Sequence, residues 1–387
     1  MNPNLSSYRL FFRQRITGWV FVLSLLTLTS VGFVALSSAS LSFLNKENYV
    51  FKQAAWFGLA SVVFALTALI PLKNLQKSLF FWILSSFGLL AAVLIPGIGS
   101  LVNGSRRWIH FIVNIQVSEC AKIALILWLA DYIEKNATLM DSLWRGFIQP
   151  TFICSLWALL VLLEPDYGTA ILLLSVAETL LFLGGTKIRH LLLSACSLTS
   201  FFTLLVWLNP VRLKRITSFL DLEGNRSDGA YQLWQSILAF VSGGLWGQGL
   251  GYGRQQLVYL PEAHTDFIYA VLVEELGLAG GLAIIALFML LFLMAFLGLQ
   301  RQESIFAKIL GYGAIFMIIY QSLINMGVVS GCLPTKGIPL PFISYGGSNL
   351  ITVYALGGIV LNSLRQEFLP TEEDPVTPSN AEYFFDS

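Results

Sequence analysis

The chain has 387 residues, 56% of them hydrophobic and 12% charged, with a net charge of +1. Soluble globular proteins carry about 25% charged residues. The deficit here runs along the whole length, which excludes a soluble enzyme, and no basic tract points to nucleic acid. With a mean hydropathy of +0.72, the composition predicts an all-α polytopic membrane protein. A spanning helix needs roughly 20 apolar residues. Ten candidates follow in chain order: 16–37, 50–70, 78–96, 116–133, 147–163, 168–185, 190–208, 266–298, 306–326 and 349–364. Arg9, Arg13 and Arg15 precede the first run with no small-residue cleavage site after it, the pattern of a signal anchor.

An even count puts both termini on one side. Lys73, Lys77, Lys135, Arg145, Lys187, Arg189, Arg301, Lys308 and Arg365 fall on that side with the N-terminal arginines. Basic residues concentrate in cytoplasmic loops, so both termini are expected in the cytoplasm. Residues 1–15 then form a cytoplasmic segment, 16–365 the transmembrane domain, and 366–387 a cytoplasmic tail. That tail holds Glu372, Glu373, Asp374 and prolines and reads as disordered. Three outer loops result: 97–115, a large one over 209–265 between helices seven and eight, and 327–348. No internal repeat stands out, which weighs mildly against an inverted-repeat transporter. Cys120, Cys154 and Cys196 sit in apolar runs as small hydrophobes, and the four cysteines make no metal pattern.

Each group of polar residues has a bland reading beside a functional one. Asn103-Gly-Ser-Arg-Arg-Trp-Ile109 sets Arg106, Arg107 and Trp108 outside, where the arginine forks match a phosphate or, with the Trp, form an interfacial anchor. Glu119 and Lys122 are three apart and share a helix face, so they pair with each other or line a polar cavity. Asp166, in Glu164-Pro-Asp-Tyr-Gly168, caps the sixth span or touches substrate. The glycine-rich stretch 243–253 lacks the Gly-Lys-Ser/Thr of a nucleotide loop. Tyr259-Leu-Pro-Glu-Ala-His-Thr-Asp-Phe267 gathers Glu262, His264 and Asp266 at a helix mouth, and ionisable groups there are costly without a use. If the helix starts near Pro261, Glu262 and Asp266 lie one turn apart, with Glu274 about 12 Å deeper at 1.5 Å per residue. His264 has no Cys or His at ligand spacing, so zinc is not expected. The last outer loop, 331–348, carries Lys336 and three prolines. Its Ser344, Gly346, Gly347 and Ser348 either offer backbone N–H groups to an anion or form a buried capping loop.

Three of these motifs together resemble one family. They are Asn-Gly-x-x-Arg-Trp-Ile at 103–109, Leu-Pro-Glu-Ala-His-Thr-Asp-Phe at 260–267 followed by Glu274-Glu-Leu-Gly277, and Pro-Thr-Lys-Gly-x-x-Leu-Pro-Phe-x-Ser-Tyr-Gly-Gly-Ser at 334–348. On them the chain is similar to the SEDS proteins (FtsW, RodA, SpoVE), bacterial peptidoglycan polymerases, from the first helix to about Arg365. Ala263 and Thr335-Lys336-Gly337 lie nearer the division member than the elongation member. Val117 stands where the family has Pro, and Asn349 where it has Ser.

The resemblance implies a ten-helix inverting glycosyltransferase of the cytoplasmic membrane that uses lipid II at the division septum. It implies Asp266 as catalytic base and a divalent cation, Mg or Mn, as cofactor. Substrate contacts are expected from Arg106, Arg107, Trp108, Glu119, Lys122, Asp166, Glu262, His264, Lys336 and Ser344, with no metal ligands assigned. A class B penicillin-binding protein and other division proteins are the expected partners. A lipid II flippase, an elongation-type polymerase and a non-enzymatic scaffold are the alternatives. The gathering of charge at the outer face favours chemistry there over transport through the bilayer.

Overall fold

The computed structural model of the chain describes residues 3–42, 49–102, 105–110, 114–227, 229–253 and 263–365. Asn103, Gly104, Glu262 and the tail 366–387, all part of the expectations above, lie outside the described residues.

Thirteen α-helices are described: α1 (Pro3–Ser42), α2 (Tyr49–Leu69), α3 (Leu72–Lys77), α4 (Leu79–Leu94), α5 (Val117–Lys135), α6 (Gln149–Leu163), α7 (Tyr167–Leu183), α8 (Ile188–Trp207), α9 (Pro210–Leu220), α10 (Tyr231–Gly243), α11 (Ile268–Leu299), α12 (Ile305–Val329) and α13 (Gly347–Arg365). Among the described residues seven helical stretches are long and apolar enough to cross a membrane, and α4 and α7 are shorter apolar helices. The chain is a multi-pass membrane protein. The apolar exterior fits this: on α11, Leu278, Leu282, Ile285, Met289, Leu293 and Leu297 are exposed at helical spacing.

Helices α12 and α13 are the most buried of the long apolar helices, and α2 and α8 are the most open. Small residues let the centre close up, as in membrane bundles generally. A methyl on Gly358 of α13 would lie 2.0 Å from Thr67 Oγ1 of α2. Helix starts carry side-chain caps: Asn209 Oδ1 accepts from Val211 N and Arg212 N at α9, and Ser304 Oγ accepts from Ala307 N at α12.

Three features depart from the sequence expectation. The fold is not purely helical: the 97–115 loop forms an antiparallel sheet of β1 (Gly99–Val102), β2 (Ser105–His110) and β3 (Asn114–Gln116). The large 209–265 loop carries α9 and α10. And α11 starts at Ile268 rather than near Pro261, with residues 263–267 forming turns.

Helix α11 also bends sharply. Gly277 has φ 72° and ψ −177°, a conformation open to glycine because it has no side chain. Tyr269 Oη donates to the Gly281 carbonyl at 3.2 Å, although twelve residues of straight helix would separate their backbones by about 18 Å. The segment before Gly277 therefore folds back toward the bundle. The glycine-rich turn after α10 splints the break: Gln248 N donates to Glu274 O (3.0 Å) and Gly249 N to Glu275 O (3.0 Å), while Leu278 N reaches Gly244 O (2.9 Å) and Ala279 N reaches Leu245 O (3.2 Å). Glu274 and Glu275 belong to this splint. The Glu275 carboxylate accepts from Gly251 N at 2.9 Å and from Ser38 Oγ of α1, and that of Glu274 accepts from Ser242 Oγ at 3.3 Å.

Candidate active site

Asp266 stands in the 263–267 turn, immediately before α11. Its three neighbouring carbonyls are each held from outside. Tyr345 N donates to His264 O (2.9 Å), Ser344 Oγ to Thr265 O (2.7 Å) and Asn325 Nδ2 to Asp266 O (2.7 Å). The carboxylate lies against the Gly337 backbone, where an added methyl would sit 2.6 Å from Oδ2. Having no side chain, Gly337 permits this close approach of the Thr335-Lys336-Gly337 segment to Asp266.

Gly337 belongs to the wall of a polar pocket of about 70 Å³, which Ser105, Arg107, Asp166, Arg212, Arg215 and Lys336 also line. Asp166 caps α7, with Oδ1 accepting from Thr169 N at 3.2 Å, and pairs with Arg107 Nη1 through Oδ2 at 3.2 Å. Asp166 is thus the expected cap and also lines the polar pocket. Arg212 donates to Pro165 O at 2.7 Å and stacks 4.2 Å from the Tyr167 ring centroid. Next to the polar pocket is an apolar cavity of about 580 Å³ between α7, α8 and α9. Tyr167, Arg212, Arg215 and Lys336 line both spaces, so a row of cations stands where they meet.

Burial pushes the Lys336 ammonium down to about 8, with Asp166 opposing the shift and Arg212 adding to it. Glu164 is fully buried, and neither of its oxygens has a hydrogen-bond partner among the described residues. Burial raises its carboxyl to about 8, Asp166 adds to the rise and Arg107 opposes it. Unfolded, this carboxyl ionises in the usual range; folded, it keeps its proton until about pH 8. The group thus withdraws stability progressively as pH rises from the unfolded to the folded value. Glu164→Gln is expected to stabilise the protein at neutral pH by about 1–3 kcal/mol. Melting curves in detergent across that window check this, and the variant's midpoint should fall less with pH than the wild type's.

The expected substrate contacts separate into two groups. Arg107, Asp166 and Lys336 converge on the polar pocket. Arg106 and Trp108 do not, because side chains alternate along a strand and those of Ser105 and Arg107 take the pocket face of β2. Glu119 and Lys122 are buried in α5, away from both cavities. Lys122 Nζ donates to Glu119 Oε1 and to Gln321 Oε1, each at 2.8 Å. Gln321 Nε2 in turn donates to Pro339 O (2.9 Å) and Asn349 Oδ1 (2.7 Å). This network braces the 334–348 loop from below, and Asn349 joins it. Ser344 is also a brace, since its Oγ accepts from Leu340 N at 2.7 Å while donating to Thr265 O. Of the four N–H groups expected to meet an anion, two are used internally, Ser344 N by Leu340 O (3.0 Å) and Gly346 N by Gln53 Oε1 (3.4 Å). His264 packs against Tyr49 and Tyr345, with ring centroids 4.7 and 5.9 Å away, and those two rings also meet each other at 5.1 Å.

Arg212, Arg215, Gln321 and Asn325 are missing from the sequence reading of the site. Arg212 and Arg215 carry no distinguishing signal, because basic residues in an outer loop are ordinarily solvated. Gln321 and Asn325 do carry a signal, as amides within an otherwise apolar span.

A helical membrane protein with a carboxylate, a row of cations and an apolar cavity gathered at one rim has the layout of an enzyme acting on a charged amphiphile. Comparison with known proteins narrows the class. The family model described as "Cell cycle protein", FtsW/RodA/SpoVE, matches residues 18–368, and the chain belongs to this family. It is 38% identical over 358 residues to a probable peptidoglycan glycosyltransferase FtsW of Saccharophagus degradans, covering 89% of this chain and 92% of that one. Over 299 residues it is 40% identical to the protein of the same name in Pseudomonas fluorescens, covering 76% and 74%. Among solved structures it is similar to a chain of a peptidoglycan synthase complex that coordinates polymerization and crosslinking, with TM-score 0.75, 26% identity and coverage of 90% and 98%. The rod shape determining protein RodA of Thermus thermophilus matches with TM-score 0.66, 27% identity and coverage of 91% and 97%.

Proposed function

We propose that the chain is a peptidoglycan glycosyltransferase that polymerises lipid II at the outer face of the bacterial cytoplasmic membrane, in septal synthesis. The observation that carries this reading is the continuity of the two spaces across Arg212, Arg215 and Lys336, beside Asp266. A polyprenyl chain suits the apolar cavity, its pyrophosphate the cations, and the sugars the polar side. The shared family and the names of its relatives support the same activity.

In this reading the acceptor's sugar 4-hydroxyl attacks the anomeric carbon of the donor. Asp266 takes the hydroxyl proton as the bond forms. The lipid pyrophosphate leaves with the electron pair, and Lys336, Arg212 and Arg215 balance its growing charge. A single displacement turns an α-linked donor into a β-linked glycan, so no second carboxylate nucleophile is required. Among the described residues no three His, Cys, Asp or Glu side chains converge as a metal cage. Mg²⁺ commonly keeps phosphate oxygens and waters with one or two carboxylates, so a divalent cation here would arrive with the pyrophosphate.

The ten-span count adds α4, α5 and α7 to the seven long stretches, and it puts both termini in the cytoplasm by the placement of basic residues. The complex in which a structural relative works supports a crosslinking partner, a class B penicillin-binding protein, and the septal reading adds other division proteins.

The test supplies purified protein, with its partner, with labelled lipid II and a divalent cation. Glycan strands on a gel support the reading, and movement of lipid II across vesicles without strands overturns it. The Lys336 pKa adds a second check. Loss of its charge should lower kcat/KM for lipid II about tenfold per pH unit above about pH 8. In Lys336→Arg that limb should vanish, because guanidinium stays protonated. A limb that persists belongs to Glu164.

A further inference from the structure

Asn325, on α12, is 2% exposed. Its Nδ2 donates to two carbonyls, Asp266 O at 2.7 Å and Ile338 O at 2.7 Å. Both amide hydrogens are thereby used, and the side chain cannot flip without turning its own oxygen toward two carbonyl oxygens. The other two donors to the Asp266 turn, Tyr345 N and Ser344 Oγ, belong to the same outer loop that contains Ile338. They tie loop to loop. Asn325 alone among these three donors refers the turn and the loop to a buried spanning helix. Ile338 follows Gly337, against which the Asp266 carboxylate rests, and Lys336 precedes it.

We propose that Asn325 is a positioning residue whose amide sets the spacing between Asp266 and the Lys336–Gly337 wall, and with it the distance from base to leaving-group cation. This rests on the reading of Asp266 as the base. A displacement of about 1 Å at such a site can cost a hundredfold in rate, whereas binding of the distant apolar tail is untouched. The amide therefore acts on kcat rather than on KM.

Asn362 provides a matched control. It is likewise a buried amide, 6% exposed, whose Nδ2 bridges two carbonyls, Thr67 O at 2.8 Å and Ile70 O at 2.5 Å, at the opposite end of α13 from the site. Asn325→Leu and Asn362→Leu remove the same chemistry, one at the site and one far from it. With purified enzyme and labelled lipid II, Asn325→Leu is expected to lower kcat about a hundredfold with KM within about threefold. Asn362→Leu is expected to lower the melting temperature by a similar amount and leave kcat unchanged. Asn325→Gln, which keeps both donors on a longer arm, should fold and fall between wild type and Asn325→Leu in kcat. Equal kcat in Asn325→Leu, Asn362→Leu and wild type, or a loss in Asn325→Leu confined to KM, overturns the proposal. If Asn325→Leu does not fold, a wild-type kcat in Asn325→Gln overturns it instead. Asp266→Asn run in parallel separates the two readings. An inactive Asp266→Asn beside a normal Asn325→Leu removes the positioning role alone, and an active Asp266→Asn removes the base and the positioning role together.

Discussion

Asp266→Asn is expected to abolish glycan strand synthesis, lowering kcat about 10²–10⁴-fold, the range a positioned general base supplies. The replacement has the same size, so the turn, its three held carbonyls and the contact with Gly337 all survive. What it loses is a group able to accept a proton. Lipid II binding, measured by the substrate's protection of the protein against heat, should persist, because the cations and the apolar cavity remain. A second variant tests geometry rather than basicity. In Gly337→Ala the new methyl would lie 2.6 Å from the Asp266 carboxylate oxygen, which must move, so kcat should fall although the acid is intact. Normal polymerisation by a folded Asp266→Asn protein would end the base assignment.

Gly277→Ala is expected to damage the fold itself. An L-residue at φ 72° and ψ −177° is strained by about 1–3 kcal/mol. The added Cβ would also meet Gly247 N and Leu245 O at 2.4 Å, and both are backbone atoms with nowhere to go. Pushing the turn away breaks the four main-chain hydrogen bonds that splint the bend, at about 1–3 kcal/mol for each buried group left without a partner. The total rivals the stability of an ordinary domain. Low yield and a melting temperature many degrees below wild type are the expected readouts. Gly88→Ala on α4 is the control, since a methyl there meets nothing within 4 Å and alanine favours the helix by about 1 kcal/mol. Equal melting temperatures for the two variants would show that the bend carries no such load.

The bend is not legible in the sequence. Residues 268–299 are so uniformly apolar that one straight helix is the simplest reading. Uniform hydrophobicity has no face, so it cannot reveal a change of direction. The glycines at 243–253 and at 277 were visible, but not that one group exists to contact the other. That pairing is a meeting of backbones about thirty residues apart, and hydropathy carries no record of it.

The spans and the motif residues, by contrast, were legible. Apolar runs near 20 residues match the bilayer's thickness, and the described helices agree with the expected spans to within a few residues at most ends. Asp266, Lys336, Arg107 and Asp166 stood out because polar residues in an apolar chain are conspicuous. Their type and approximate depth follow from local sequence alone. Which of them meet does not. Strand alternation turned Arg107 toward the pocket and Arg106 with Trp108 away from it. Burial in the bundle made Glu119 and Lys122 a brace beneath the 334–348 loop, and Ser344 a tie within it. Arg212, Arg215 and Asn325 joined the site from elements remote in sequence. The chain by itself determined a membrane-embedded helical protein with charge at one rim; only the packed bundle decided which charges share a cavity, because contacts between distant segments depend on the bends, strand faces and close glycine approaches that bring them together.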